Sequence, residues 1–226
     1  MSPRSLRLAL LLFLVCALAA CATSRSQRRF NPATPEQQSQ ALSAWTAARD
    51  RAASLPASRL LYDAKMSSGG APSVPGTLAV SYDGKAVTLA SLTGPFGSRV
   101  AEYRDGSVTG EDRKALVVDA EVLRSVLAGA WNADSGSVSV EGCDSGQCLL
   151  AWSGEAGRGT AVLDLAGGGV LSMDLSGSAG RLLVDYPGEA APWPTRITIR
   201  DEKAGRGLTL KLVAVEPFRA DGSAGP

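Results

Sequence analysis

The sequence predicts a mainly β (α+β) fold: a curved antiparallel sheet forming an incomplete barrel, with two helices on its concave side. Three observations predict it. Short stretches of apolar–polar alternation recur from residue 58 to residue 216, separated by turns rich in Gly, Asp and Ser. Only two segments carry helical spacing. A meander of so many strands does not stay flat, because strand twist curls it toward a barrel or half-barrel.

The first helix opens at Thr34-Pro35-Glu36-Gln37. Threonine caps, proline suits the first helical position, and glutamine falls where a capping box needs it. Ala41, Leu42, Trp45, Ala48 and Ala52 then recur at helical spacing, and Leu55-Pro56 stops the element. Leu60, Tyr62, Ala64 and Met66 alternate as a strand. Strands at 77–82 and 86–92 flank Asp83-Gly84, a hairpin signal. Strands at 98–103 and 114–118 follow. The second helix spans 119–129, with Asp119 as cap and Val122, Leu123, Val126 and Leu127 on its apolar stripe. Strands are then expected at 137–141, 148–153, 160–165, 170–175, 180–186, 194–200 and 207–216. No interior linker or repeat divides residues 34–218, which read as one domain, with 219–226 a loose tail.

The chain has 226 residues, 23 of them basic, 22 acidic and none histidine. A near-neutral surface argues against nucleic acid, which rewards a basic face. The absence of histidine removes the commonest general base and metal ligand. A serine nucleophile, for which Ser91 and Ser98 are candidates alongside Asp185 and Asp201, would then need a lysine base, and no Ser-x-x-Lys occurs. Carboxylate pairs fall in turns, where solvated charge is the usual explanation. The expectation is no enzyme, no cofactor and no metal.

Residues 1–20 have a basic start, a short apolar run (Leu8 to Val15) and small residues at their end, as a secretory signal does. Export puts Cys143 and Cys148 in an oxidising compartment, where a disulfide is the default. Turn residues lie between them, so the pair reads as a stapled hairpin. Half of a zinc site is the rival reading, and it lacks further soft ligands. Residues 21–33 begin polar and aperiodic and read as a flexible tether.

Leu18-Ala19-Ala20-Cys21 resembles the lipobox of bacterial lipoproteins. The resemblance implies cleavage before Cys21 and lipidation of its sulfur. Ala22 stands where an aspartate would retain an enteric lipoprotein in the inner membrane, which points to the outer membrane. Arg25, Arg28 and Arg29 lie near the lipid, as solvated linker charge or as contacts to anionic head groups.

A second resemblance lies further along. Leu92-Thr93-Gly94-Pro95-Phe96-Gly97-Ser98 ends one strand and starts the next, and Asp119-Ala120-Glu121 opens a helix soon after. This pattern, with the closing strands Arg196–Asp201 and Leu208–Leu212, is similar to LolB of the LolA/LolB half-barrel superfamily. LolB proteins are lipid-anchored, periplasm-facing outer-membrane proteins that accept lipoproteins from a LolA-like periplasmic carrier. The resemblance implies a half-barrel holding acyl chains in an apolar hollow, with helices as its lid. It implies that Phe96, in the turn Pro95-Phe96-Gly97, protrudes and helps insert clients. It also implies a monomer with no cofactor and no covalent chemistry.

From the residues alone, Phe96 sits in a surface turn and wants a partner or a membrane, or else folds back on the core. Trp45, Val122, Leu123, Val126, Leu127 and Trp131 are candidates for the hollow or its lid, with core packing the competing reading for Trp45. The chain departs from LolB after the second helix, where Trp131 to Gly136 breaks off and the Cys143–Cys148 hairpin appears instead of further lid sequence. The same fold in an envelope lipoprotein that binds a lipid, glycolipid or protein partner without being a receptor is the alternative.

Overall fold

The first helix forms where its capping chemistry says it should. In the computed structural model α1 runs Pro35–Ala53. Thr34 Oγ1 accepts from the Gln37 N–H at 3.2 Å, and Gln37 Oε1 accepts from the Thr34 N–H at 2.9 Å. Residues 29–104, 106–112, 120–130, 136–154, 157–177, 180–187 and 192–218 are described. The signal peptide, Cys21, Asp119, Trp131, the strand expected at 114–118 and the tail at 219–226 lie outside them.

Among the described residues twelve strands form one antiparallel sheet. They are β1 Ser58–Ser68, β2 Val74–Tyr82, β3 Val87–Thr93, β4 Arg99–Arg104, β5 Ser107–Thr109, β6 Ser137–Asp144, β7 Gln147–Gly154, β8 Gly157–Asp164, β9 Gly169–Gly177, β10 Gly180–Asp185, β11 Arg196–Asp201 and β12 Arg206–Pro217. The second helix, α2, spans Ala120–Ala128. The spatial order is β5-β4-β3-β2-β1-β12-β11-β10-β9-β8-β7-β6. This corrects the single meander expected from the sequence. Two meanders, β1–β5 and β6–β12, are joined by the first and last strands, and the connection carrying α2 links the two edges.

The physical reason lies in β1 and β12, the longest strands of the sheet. Both alternate inward apolar residues, and their register sets Tyr62 opposite Leu212, Ala64 opposite Leu210 and Met66 opposite Leu208. Placed centrally, these pairs are flanked on both sides and bury more apolar area than an edge allows. The edges are short or guarded. β5 has 3 residues, and Asn31 exchanges two backbone hydrogen bonds with Cys143 of β6, at 2.8 and 3.2 Å.

Two rims follow from the registers. One gathers the ends of β1, β3 and β11 with the starts of β2, β4 and β12, and carries the Pro95–Gly97 turn. The other carries the β6–β7 turn and Asn31. Arg51, near the end of α1, reaches this second rim, its Nη2 donating to the Gly168 carbonyl at 2.6 Å. One core joins Ala41, Trp45, Ala48 and Ala52 of α1, Leu123, Val126 and Leu127 of α2, and the inward rows of the sheet.

Candidate functional site

The turn between β3 and β4 is closed by its own backbone. Gly94 N–H donates to the Ser98 carbonyl at 2.8 Å, and Ser98 Oγ donates to the Pro95 carbonyl at 3.2 Å. Within this frame Phe96 adopts φ 62°, ψ 20°, the left-handed region. Gly97 follows at φ 76°, where glycine is at ease. A bulky side chain in that region costs roughly 1–2 kcal/mol. Nothing in the core repays it, because the Phe96 ring is fully exposed, at 108% of its reference area. Phe96 therefore does not fold back. Pro95 and Gly97 shape the turn, and Phe96 is its apolar tip.

Beside this turn the inner side of the sheet opens into an apolar groove of about 260 Å³. Met66 and Val74, directly opposite each other on β1 and β2, line it. Ala71 and Pro72 of the connecting turn and Val100 of β4 complete its apolar wall. Val100 is the extra residue where the β3–β4 register shifts, since Leu92 faces Ala101 but Thr93 faces Arg99. An ion pair spans the groove, Arg206 Nη1 lying 3.3 Å from Asp112 Oδ1. Asp112 is held in turn by its N–H, which donates to the Val100 carbonyl at 3.0 Å. These wall residues were not singled out by the sequence. The available signal was the run of small and apolar residues in an otherwise polar turn, Ala71-Pro72-Ser73-Val74.

Trp45, Leu123, Val126 and Leu127, expected in a hollow or lid, do not border this groove. They are 0–2% exposed and packed in the core, and a side chain so enclosed meets no water-sized space. Val122 is partly buried against the same core. Trp45 stacks on Trp152 at 5.4 Å. Gly159 makes room for that stack, since a Cβ there would lie 2.4 Å from the Trp152 ring. The Tyr186 hydroxyl donates to the Val126 carbonyl at 2.9 Å, fixing α2 to the end of β10. Burial raises the Tyr186 and Tyr62 phenols above their ordinary range, so both stay neutral. A void of about 20 Å³ between the helices and Tyr186 holds one water at most. In this conformation, room for an acyl chain beside α2 would require the helices to lift from the sheet.

The remaining candidates are dispersed. Cys143 and Cys148 face each other across the β6–β7 hairpin and are joined by a disulfide. Asp185 pairs with Arg200, Asp201 Oδ1 accepts from the Ala204 N–H at 2.9 Å, and Ser98 serves its own turn. Ser91 lies on β3. These four residues form no common constellation. Among the described residues no three His, Cys, Asp or Glu side chains are grouped to hold a metal, and no helix is long and apolar enough to cross a membrane. A second, larger hollow, of about 550 Å³, lies over β6–β10, with Ser139, Ser153, Asp174 and Arg181 beside Ala151 and Trp152 among its walls.

The open antiparallel sheet with its two helices, as seen in the described residues, is shared with solved structures of low sequence identity. The chain superposes on a LolA superfamily protein from Nitrosomonas europaea with a TM-score of 0.52, at 11% identity, covering 80% of this chain and 97% of that one. It superposes on a DUF1329 family protein from Desulfovibrio piger with a TM-score of 0.51, at 12% identity, covering 81% of this chain and 95% of that one. No protein-family model and no curated protein matches the sequence.

Proposed function

We propose that this protein is a lipid-anchored envelope protein of the outer membrane that accepts acylated clients and passes them to the bilayer. Its anchor is Cys21, its client-facing rim is the Phe96 turn with the neighbouring apolar groove, and its donor is a LolA-like periplasmic carrier. The observation that carries the reading is Phe96 itself. A bulky aromatic held fully exposed in a left-handed conformation is a local cost to folding. Such costs are kept where an apolar surface or partner repays them. The groove lined by Met66, Val74 and Val100 beside it supplies an apolar path from the tip toward the inner face of the sheet. The superfamily fold is consistent with a role in handling lipoproteins.

The test uses Phe96→Glu. Transfer of a lipoprotein from its periplasmic carrier to vesicles should fall at least tenfold while the thermal transition stays in place. Unchanged transfer removes Phe96 from the mechanism. One observation favours the second reading, an envelope lipoprotein that binds lipid, glycolipid or protein without acting as a receptor. The helices are closed down on the sheet, with Trp45 and Leu127 each 2% exposed. Carrier dependence separates the two, because a receptor takes clients from a carrier and a structural module does not.

A further inference from the structure

The chain enters the domain at the rim opposite Phe96. Asn31 pairs antiparallel with Cys143, beside the β6–β7 turn, whereas Phe96 caps the other ends of the strands. Between the two rims lies the length of a strand. β7 has 8 residues, which at about 3.3 Å each gives about 26 Å. From Cys21 to Asn31 there are ten peptide steps, which at full extension span at most about 36 Å. An unstretched chain of that length covers far less, about 18 Å from the square-root scaling of flexible linkers.

We infer that tether length limits which membrane Phe96 reaches: the chain enters at the rim opposite Phe96, so the ten steps from Cys21 to Asn31 must cover the length of a strand for the tip to meet the bilayer that holds the anchor. The partner surface at the Phe96 rim otherwise faces the aqueous side, where it is open to a carrier or a second apolar surface. This rests on the reading of Cys21 as the lipid site and Phe96 as the contact.

The experiment uses the full-length lipidated protein in phosphatidylethanolamine–phosphatidylglycerol vesicles, with Phe96→Cys carrying an environment-sensitive fluorophore. Nitroxide-labelled lipid is placed either in the vesicle holding the anchor or in a second vesicle population. With the natural tether, quenching is expected from the anchor's own vesicle. Deleting residues 23–27 leaves five steps, about 18 Å at full extension, and quenching should vanish from the anchor's own vesicle and persist from the second population. Inserting ten Gly/Ser residues should restore the first. Own-vesicle quenching that survives the deletion overturns the inference. Two controls separate this from failure of the underlying reading. The mass of the N-terminal peptide reports whether Cys21 carries lipid. Quenching of the unanchored domain by excess vesicles reports whether the tip enters membranes at all.

Discussion

Arg206 on β12 and Asp112, beyond the edge strand β5, meet at 3.3 Å across the apolar groove beside Phe96. The pair ties the middle of the sheet to its far edge at the rim where an apolar ligand would enter. Their side chains are 29% and 51% exposed, so solvent screening keeps the interaction weak. Asp112→Asn should therefore cost under about 1 kcal/mol in urea unfolding, while a fluorescent fatty acid binds the groove more tightly because its mouth is less restrained. Weaker binding with unchanged stability would assign the pair to ligand contact instead.

The strain at Phe96 has a measurable counterpart. Asparagine tolerates the left-handed region better than phenylalanine. Phe96→Asn should leave stability unchanged or raise it by up to about 1 kcal/mol, yet lower vesicle partitioning. A loss of stability would mean that the ring supports the fold, against its complete exposure.

The Cys143–Cys148 disulfide closes a short loop, with a sequence separation of 5. The chain-entropy account of so small a loop gives about 2 kcal/mol. The double variant Cys143→Ser/Cys148→Ser should lower the unfolding free energy from urea titration by that amount. Asn31 hydrogen-bonds to Cys143, so its amide should also exchange faster.

Gly159 is where the Trp45–Trp152 stack meets the sheet. Gly159→Ala brings a Cβ within 2.6 Å of the Asp174 carbonyl as well as against the Trp152 ring. The expected loss is about 1–3 kcal/mol, the usual range for overpacking. Near-ultraviolet circular dichroism should change with it, since the two indoles move together.

Asp83 shapes the β2–β3 turn, its Oδ1 accepting from the Ala86 and Lys85 N–H groups at 2.7 Å each. These bonds, with Ala86 the larger cause, hold its carboxyl below the ordinary range. A lowered folded pKa contributes stability that is present above the unfolded value of about 3.9 and lost as pH falls through the folded value. The stability gap between the native protein and Asp83→Ala should therefore close on acidification below pH 4. A gap constant with pH would contradict the assignment.

Local chemistry made much of this fold legible. The Thr34–Gln37 capping box, the Asp83-Gly84 hairpin and the stripe Val122, Leu123, Val126, Leu127 act over a few residues, and they can be read over a few residues. The sequence pattern places the start of β2 at Thr77. It begins at Val74, since β3 pairing starts only at Thr77 and Pro75 has a neighbour strand on one side alone. The β1–β12 pairing was not legible, because alternation says which face a strand buries and not which strand lies beside it. The site divided similarly. The Pro95-Phe96-Gly97 turn was visible, but the left-handed backbone at Phe96 and the groove from Met66 to Val100 depend on residues brought together only by folding.

A photo-reactive test addresses the central claim most directly. A diacylated peptide carrying a diazirine on one acyl chain, delivered to the full-length protein and analysed by mass spectrometry of the cross-linked fragments, reports where an acyl chain rests. The account predicts labelling at Phe96, Met66, Val74 and Val100. Labelling confined to the larger hollow over β6–β10, or none above that of an unacylated peptide, would contradict it.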